Sequence, residues 1–329
     1  MAIAGNLTNL TEWQVAYKAE TASQTANVAT MQLINLMGQP TFSDNVYRAF
    51  DVKHGVGRTL KAVDMRAQTK GQIKTMSGTS RFNASQFSDF LSNAVGLAPE
   101  VTGELDIPFN YTPPTVLPGD VDDDNTGTFT FAVIPPEATN AQIWAGCAVT
   151  SLRVYSDATA DGAYFMIDWE VSTQNEISTD QATPGSMVAY TISELGFYDL
   201  CTTKTYNAID IALLAFELTI NPNTVFNGMS ADGTPASIGR GHPIMEVTGS
   251  ITVDYDTNTQ DFYKYARAKT GYALVLSDGD NVNITVALAL ATADAPASDK
   301  DGVSAIVIPF TALASTSGNV AEIEIGENA

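Results

Sequence analysis

The sequence predicts a mainly β protein made of two related domains, each carrying one short α-helix. Three observations predict it. Stretches of alternating apolar and polar residues, the pattern of a half-buried strand, recur along the chain and are punctuated by turn residues. Only two segments show a helical apolar period. Each of those follows a strand that opens Gly-x-Ile, so the chain reads as a diverged internal duplication. Hydrophobic residues are 44% of the 329 and charged residues only 16%, which is enough apolar material for a core and too little charge for a disordered chain or a long solvated helix.

The elements are justified in order. Residues 31–36 and the Gly71-Gln-Ile segment are strand candidates. The first helix spans 85–95: Ser85 caps its free N–H groups, Gly96 ends it, and Phe87, Phe90, Leu91, Ala94 and Val95 form one apolar face. Residues 128–134 alternate. So do 149–155 and 163–171, which flank a turn-rich segment at 156–162 and make a hairpin with a long loop. Strands follow at 214–220 and 244–253. The second helix spans 259–269, with Phe262, Tyr265 and Ala266 on one face, Lys264, Arg267 and Lys269 toward its C-terminal end, and Gly271 closing it. Strands at 273–276, 282–290, 304–309 and 320–325 complete the chain. A polar stretch at 173–185 reads as the linker. The domains are therefore placed at 1–200, with a Pro- and Asp-rich insertion at 97–145, and at 201–329.

Net charge is −21, and it is uneven: residues 1–100 carry 9 basic and 7 acidic residues, whereas 101–200 carry 1 and 15. Such a chain does not grip nucleic acid through phosphate contacts, which need clustered Lys and Arg, and it has no affinity for anionic membranes. No apolar run reaches the roughly 18 residues of a membrane helix. The opening MAIAGNLTNLTEW lacks the basic and apolar regions of a secretory signal.

Chemistry-bearing patterns are sparse. His54 and His242 sit in Gly-rich, loop-like contexts without a second ligand at metal spacing. The acidic run around Asp122, Asp124 and Gly127 mimics a calcium loop, but its twelfth position is Val133 where a bidentate Glu is required. Asp168 and Glu170 are two apart on one strand and share a face, as a glycosidase pair would. Ile167, Trp169 and Val171 on the other face explain the same pattern as core inside and acid outside. Cys147 and Cys201 make no disulfide framework and read as partly buried free thiols in a reducing cytosol, with a single disulfide between them as the alternative. No catalytic, cofactor-binding or metal-ligating residue is expected, and the chain is not expected to be an enzyme. A binding module such as an adhesin or capsid-decorating β-sandwich is the alternative, with Trp144 or Tyr111 as its exposed aromatic.

The order of the pieces resembles the major tail tube proteins of long-tailed (siphovirus-type) bacteriophages in their two-domain form. The pieces are residues 12–21 (EWQVAYKAET), the Gly71-Gln-Ile strand with its helix to Gly96, 146–154 (GCAVTSLRV) with the hairpin to Val171, 216–223 (FELTINPN), 246–253 (EVTGSITV) with its helix, and 306–313 (IVIPFTAL) with the ending to Ile325. The resemblance implies antiparallel β-sandwich or barrel domains with a flanking helix and a long protruding loop, here 41–62 and 225–241. It implies subunits joined edge to edge in rings that stack into a hollow, acidic-lined conduit, through which DNA passes without specific binding. It further implies a virion protein assembled in the host cytoplasm, with tape measure, tail terminator and distal tail proteins as partners. A two-domain chain supplies two of six ring positions, so a homotrimeric pseudo-hexamer is expected ahead of a homohexamer.

Overall fold

The computed structural model describes residues 13–20, 26–45, 73–95, 105–108, 127–136, 141–157, 164–173, 175–177, 186–189, 201–229, 235–239, 246–277, 283–293, 297–300, 302–313 and 319–323. It is mainly β. The first half holds β1 (Gln14–Ala19), β2 (Thr30–Leu33), β3 (Thr41–Asn45), β4 (Ile73–Arg81), α1 (Ala84–Val95), β5 (Leu105–Pro108), β6 (Phe129–Ile134), β7 (Gln142–Asp157), β8 (Met166–Thr173), β9 (Asn175–Ile177) and β10 (Ser186–Val188). The second half holds β11 (Thr203–Tyr206), β12 (Ile209–Asp210), β13 (Leu213–Asn221), β14 (Val225–Met229), β15 (Pro235–Gly239) and β16 (Glu246–Asp254). A 3-10 turn at Phe262–Lys264 then runs into α2 (Tyr265–Ala268). β17 (Tyr272–Ser277), β18 (Asn283–Ala291), β19 (Ala297–Lys300), β20 (Val303–Ala312) and β21 (Asn319–Ile323) follow.

The same ladder order occurs in both halves. In the first it is β2-β1-β6-β7-β8-β4-β3, every pair antiparallel. In the second it is β12-β11-β17-β18-β20-β16-β13, again all antiparallel. α1 follows β4 as the short helix follows β16. Corresponding side chains make corresponding contacts. Gly78 on β4 lies opposite Trp169 on β8, and Gly249 on β16 lies opposite Phe310 on β20. A Cβ on Gly78 would stand 2.7 Å from the Trp169 ring, and one on Gly249 would stand 2.6 Å from Phe310 and 2.3 Å from the Glu217 carbonyl. Each aromatic ring thus lies down across a strand that has no side chain to hold it off. Phe90 of α1 meets Tyr17 of β1 at 5.0 Å between centroids, and Phe262 meets Tyr206 of β11 at 5.4 Å.

Around these pairs one core of buried side chains runs through both halves, including Phe129, Phe131, Trp169, Phe216, Leu274 and Ile308. The predicted hairpin is β7–β8, paired from Ala148↔Ser172 to Tyr155↔Met166. The strands predicted in the second half are all present, with β20 running on to Ala312 and β21 ending at Ile323, while β11, β12, β14, β15 and β19 were not expected.

Several details differ from the sequence reading. Asn83, not Ser85, caps α1: its Oδ1 accepts the Gln86 N–H at 2.8 Å while Ser85 is exposed. The second helix is far shorter than 259–269. Asp256 takes the N–H groups of Asn258 and Thr259 into a turn, and the Thr259 hydroxyl donates to the Asp254 carbonyl, so the chain is not helical until Phe262. It is Lys269, at φ +52°, that ends it; Gly271 instead gives close passage to Leu288. Within the predicted linker, β9 pairs with residues 143–145 of β7. Residues 129–134 and 142–145 of the predicted insertion are core strands, buried at Phe129, Phe131, Ile143 and Trp144. The Gly-x-Ile alignment of the repeat is also shifted: Gly78, not Gly71, occupies the place of Gly249, and Gly71 lies outside the described residues.

Two expectations follow. Asp89 of α1 is largely buried and accepts a hydrogen bond from the Tyr17 hydroxyl at 2.7 Å. Burial pushes its carboxyl up to about 6, against the Tyr17 hydrogen bond, which pulls it down. A carboxyl with a raised folded-state pKa makes the folded chain hold more protons than the unfolded one, so stability falls as pH rises from about 4 through 6. Asp89→Asn removes this slope. At pH 8 the variant should exceed wild type by roughly 3 kcal/mol, and below pH 4 the two should coincide in urea melts. Second, Gly249→Ala should lower stability by about 1–3 kcal/mol or more, because the added methyl meets backbone rather than a movable side chain. Gly38→Ala, with nothing within 4 Å of its Cβ, is the matched control.

Candidate functional site: the seam between the halves

β7 is a strand with two neighbourhoods. Its first part, to Cys147, pairs with β6 and β9; its second part pairs with β8 and, from Leu152 to Asp157, with β13. The change of partner comes at a bulge. Between Phe129↔Cys147 and Phe131↔Trp144 β7 spends one residue more than β6, and Gly146 adopts φ +62°. The N–H of Gly146 is turned out of the ladder and donates to Glu20 Oε1 at 2.8 Å. Glu20 is buried, and its carboxylate also accepts from Thr128 (2.7 Å) and Thr130 (2.9 Å). A buried carboxylate persists only with such donors. Asn93 of α1 pins the same region from the helix side, accepting the Val149 N–H at 2.7 Å and donating to the Gly127 carbonyl.

Past the bulge, β6 no longer covers that edge of β7, and β13 fills it with Leu152↔Ile220 through Asp157↔Ala215. Arg153 staples this seam. Its guanidinium meets Asp168 at 2.8 Å and Glu217 at 3.0 Å, and stacks over Tyr155 at 4.3 Å. Burial opposes its charge, but the hydrogen bonds it donates to Glu217 and Asp168 outweigh that and hold Arg153 above its ordinary pKa. Thr79 donates to the second Asp168 oxygen at 2.6 Å. Arg153, Asp168 and Thr79 line a shallow concavity of about 450 Å³ together with Glu170, Trp169, Met37 and Thr41.

The two ends of the sheet carry the mates of this seam. Among the described residues β3, the counterpart of β13, pairs with β4 alone, and β19, which carries the β18 line on beside β20, pairs with β20 alone. Five large hydrophobics among the described residues are exposed: Met37 (45% exposed) and Phe42 (37%) lie on or beside β3, Val188 (47%) is on β10, Val307 (42%) is on β20 next to the Ile306 that opposes Ala297 of β19, and Tyr255 (44%) follows β16 on the other side of β20, its N–H donating to the Ser304 carbonyl.

The residues singled out from sequence fall as follows. Asp168 and Glu170 do share a face of β8, but Asp168 is held by Arg153 and Thr79 and Glu170 accepts from Thr150 at 2.7 Å, so both serve the sheet's polar surface. Trp144 is buried, not an exposed binding aromatic. Val133 is core in β6. Cys147 and Cys201 are buried free thiols; burial, then the Glu20 charge, pushes the Cys147 thiol up. His54, His242, Tyr111, Asp122 and Asp124 lie outside the described residues, as does most of the expected loop 41–62, whose first part is β3. The expected loop 225–241 contains the β14–β15 hairpin. Among the described residues no group of three or more His, Cys, Asp or Glu is placed to hold a metal, and no helix is long and apolar enough to cross a membrane. The sequence reading missed Glu20, Arg153 and Glu217. Arg153 had one signal, being the lone basic residue between 101 and 200. No protein-family model matches the chain, and no curated protein matches it.

Glu20→Ala should leave the Gly146 N–H and two buried hydroxyls unanswered and cost about 3 kcal/mol or more in chemical melts. Glu20→Gln, which keeps an acceptor for Gly146, should cost about 1 kcal/mol. Equal losses in the two variants would mean that the charge, not the acceptor geometry, holds the bulge.

Proposed function

We propose that this chain is a structural virion protein, the major subunit of a bacteriophage tail tube. One observation carries the reading: a strand order that occurs twice is joined edge to edge within the chain, and the mates of the joined edges remain at the two ends. A head-to-tail contact of this kind repeats, giving a ring when its rotation closes and a filament when rings stack. Exposed sheet edges in a stable protein need cover, and a closed ring of neighbours covers every one.

In this reading the halves 1–200 and 201–329 are two related tube domains of the sandwich type, and three chains make a pseudo-sixfold ring. The charge supports a duct rather than a grip. Cationic contacts would hold DNA by counterion release, whereas a wall drawn from a chain of net charge −21 repels phosphate and lets the cargo slide. Partners are further copies of the chain and the proteins that measure and terminate the tube.

Native mass spectrometry with negative-stain microscopy of the purified chain tests this. Rings or tubes with three chains per ring are expected. Six per ring would keep the tube and discard the pseudo-sixfold arrangement. A chain that stays monomeric at high concentration, with the other tail proteins present, would overturn the proposal.

A further inference from the structure

We infer that the basic turn formed by Lys264, Arg267 and Lys269 is a steering surface that takes the acidic 101–200 part of a second copy of this chain. The inference rests on the assembly reading above and names one electrostatic contact in it. Among the described side chains the exposed basic ones all stand on this turn. Lys18, Lys74, Arg81, Arg153 and Lys204 are half-buried. The turn is held rigidly from below. Phe262 is buried, and the Tyr265 ring lies 5.0 Å from Phe262, 4.4 Å from Tyr272 and 5.7 Å from Tyr206. Asn207 Nδ2 donates to the Tyr265 hydroxyl at 3.1 Å. The cations are thus displayed on a fixed aromatic platform.

Packing does not require these charges. α1, the helix in the same place in the first half, has no basic residue in its last turn, and its sequence ASQFSDFLSNAV has none anywhere. A helix dipole favours cations at its C-terminal end, but α2 is four residues long and its dipole is correspondingly small. Lys269 ends the helix at φ +52°, a conformation that glycine adopts without strain and lysine does not. A residue that carries a conformational cost and a full charge at an exposed position points outward for its use. Lys264 meets Asp261 at 2.7 Å, whereas Lys269 has no ion-pair partner among the described residues.

The complementary charge lies in the other half. Residues 101–200 carry 15 acidic residues and a single basic one, Arg153, whose guanidinium is already engaged by Asp168 and Glu217. A basic feature in one half and an acidic excess in the other suit a head-to-tail contact, in which the second half of one copy meets the first half of the next. Exposed ion pairs add little to affinity, but they orient the encounter and speed it.

Zero-length carbodiimide cross-linking of a mixture of ordinary and heavy-isotope chains tests the partner. Amide links should join Lys264 or Lys269 of one isotope to an Asp or Glu between 101 and 200 of the other. The triple variant Lys264→Glu, Arg267→Glu, Lys269→Glu changes exposed positions only and should keep the wild-type circular dichroism. It should assemble about tenfold more slowly at low salt and lose most of the salt dependence. Lys269→Gly separates charge from folding: it relieves the strained turn, so it should melt higher and yet assemble more slowly. Rings whose links from these lysines stay within one chain, or a triple variant that assembles as wild type, would overturn this surface and leave the tube reading standing. Duplex DNA retained by wild type and not by the triple variant, without links between chains, would overturn it in favour of a nucleic-acid contact. A monomer under every condition would overturn both readings.

Discussion

The fold depends on one hydrogen-bonded bend, the bulge at Gly146 held by the buried carboxylate of Glu20. A long strand in a flat ladder would keep the same neighbour along its whole length. β7 does not, because the extra residue at the bulge rotates the chain and releases β6. The orphaned Gly146 N–H would be costly inside a core, and Glu20 answers it while also collecting two threonine hydroxyls. What the bend leaves behind is a vacant strand edge in the middle of the molecule. β13 occupies it, and through that ladder the first half becomes continuous with the second.

Two halves with one ladder order share what that packing requires and differ where only one of them needs a contact. The glycine beneath an aromatic is kept in both halves, as Gly78 with Trp169 and Gly249 with Phe310, since any side chain there would lift the ring off the sheet. The helix-to-strand aromatic contact is kept too, although the first helix is long and the second barely a turn of α-helix. Arg153 with Asp168 and Glu217 is not repeated. That is physically sensible for a seam that forms once, within a chain, and never has to open: partly exposed ion pairs contribute modestly, about 0.2–1 kcal/mol each, but they fix register and select one partner.

Local periodicity made most of the strands legible. β7, β8, β13, β16 and β20 alternate because one face packs on the core and the other meets water, and the β7–β8 hairpin follows from a turn cluster between two such runs. The face of α1 was equally plain. Hidden were features decided by contacts distant in sequence. Glu20 looks like any surface glutamate until β6 and β7 close over it. β9 looks like a linker because its pairing with β7 lies thirty-odd residues upstream in the chain, beyond any local window. The recurring ladder order was visible as a strand-then-helix rhythm, yet its register was not. Gly71-Gln-Ile and Gly249-Ser-Ile match as letters, whereas the structural match is set by which glycine lies under a ring.

Sheet edges left open must avoid joining at random, and the sequence at both ends meets that demand. β3 and β19 are short, five and four residues, and short edges template poorly. Gly38 and Pro40 interrupt the run into β3: Pro40 has no N–H to offer, and glycine weakens a lone strand. The counterpart run of β13 holds neither glycine nor proline, so the ladder within the chain forms readily. The charge of −21 adds long-range repulsion that keeps free chains apart. Such an edge pairs only with a strand already held in orientation against it, and the repulsion between free chains makes chance encounters of two bare edges rare.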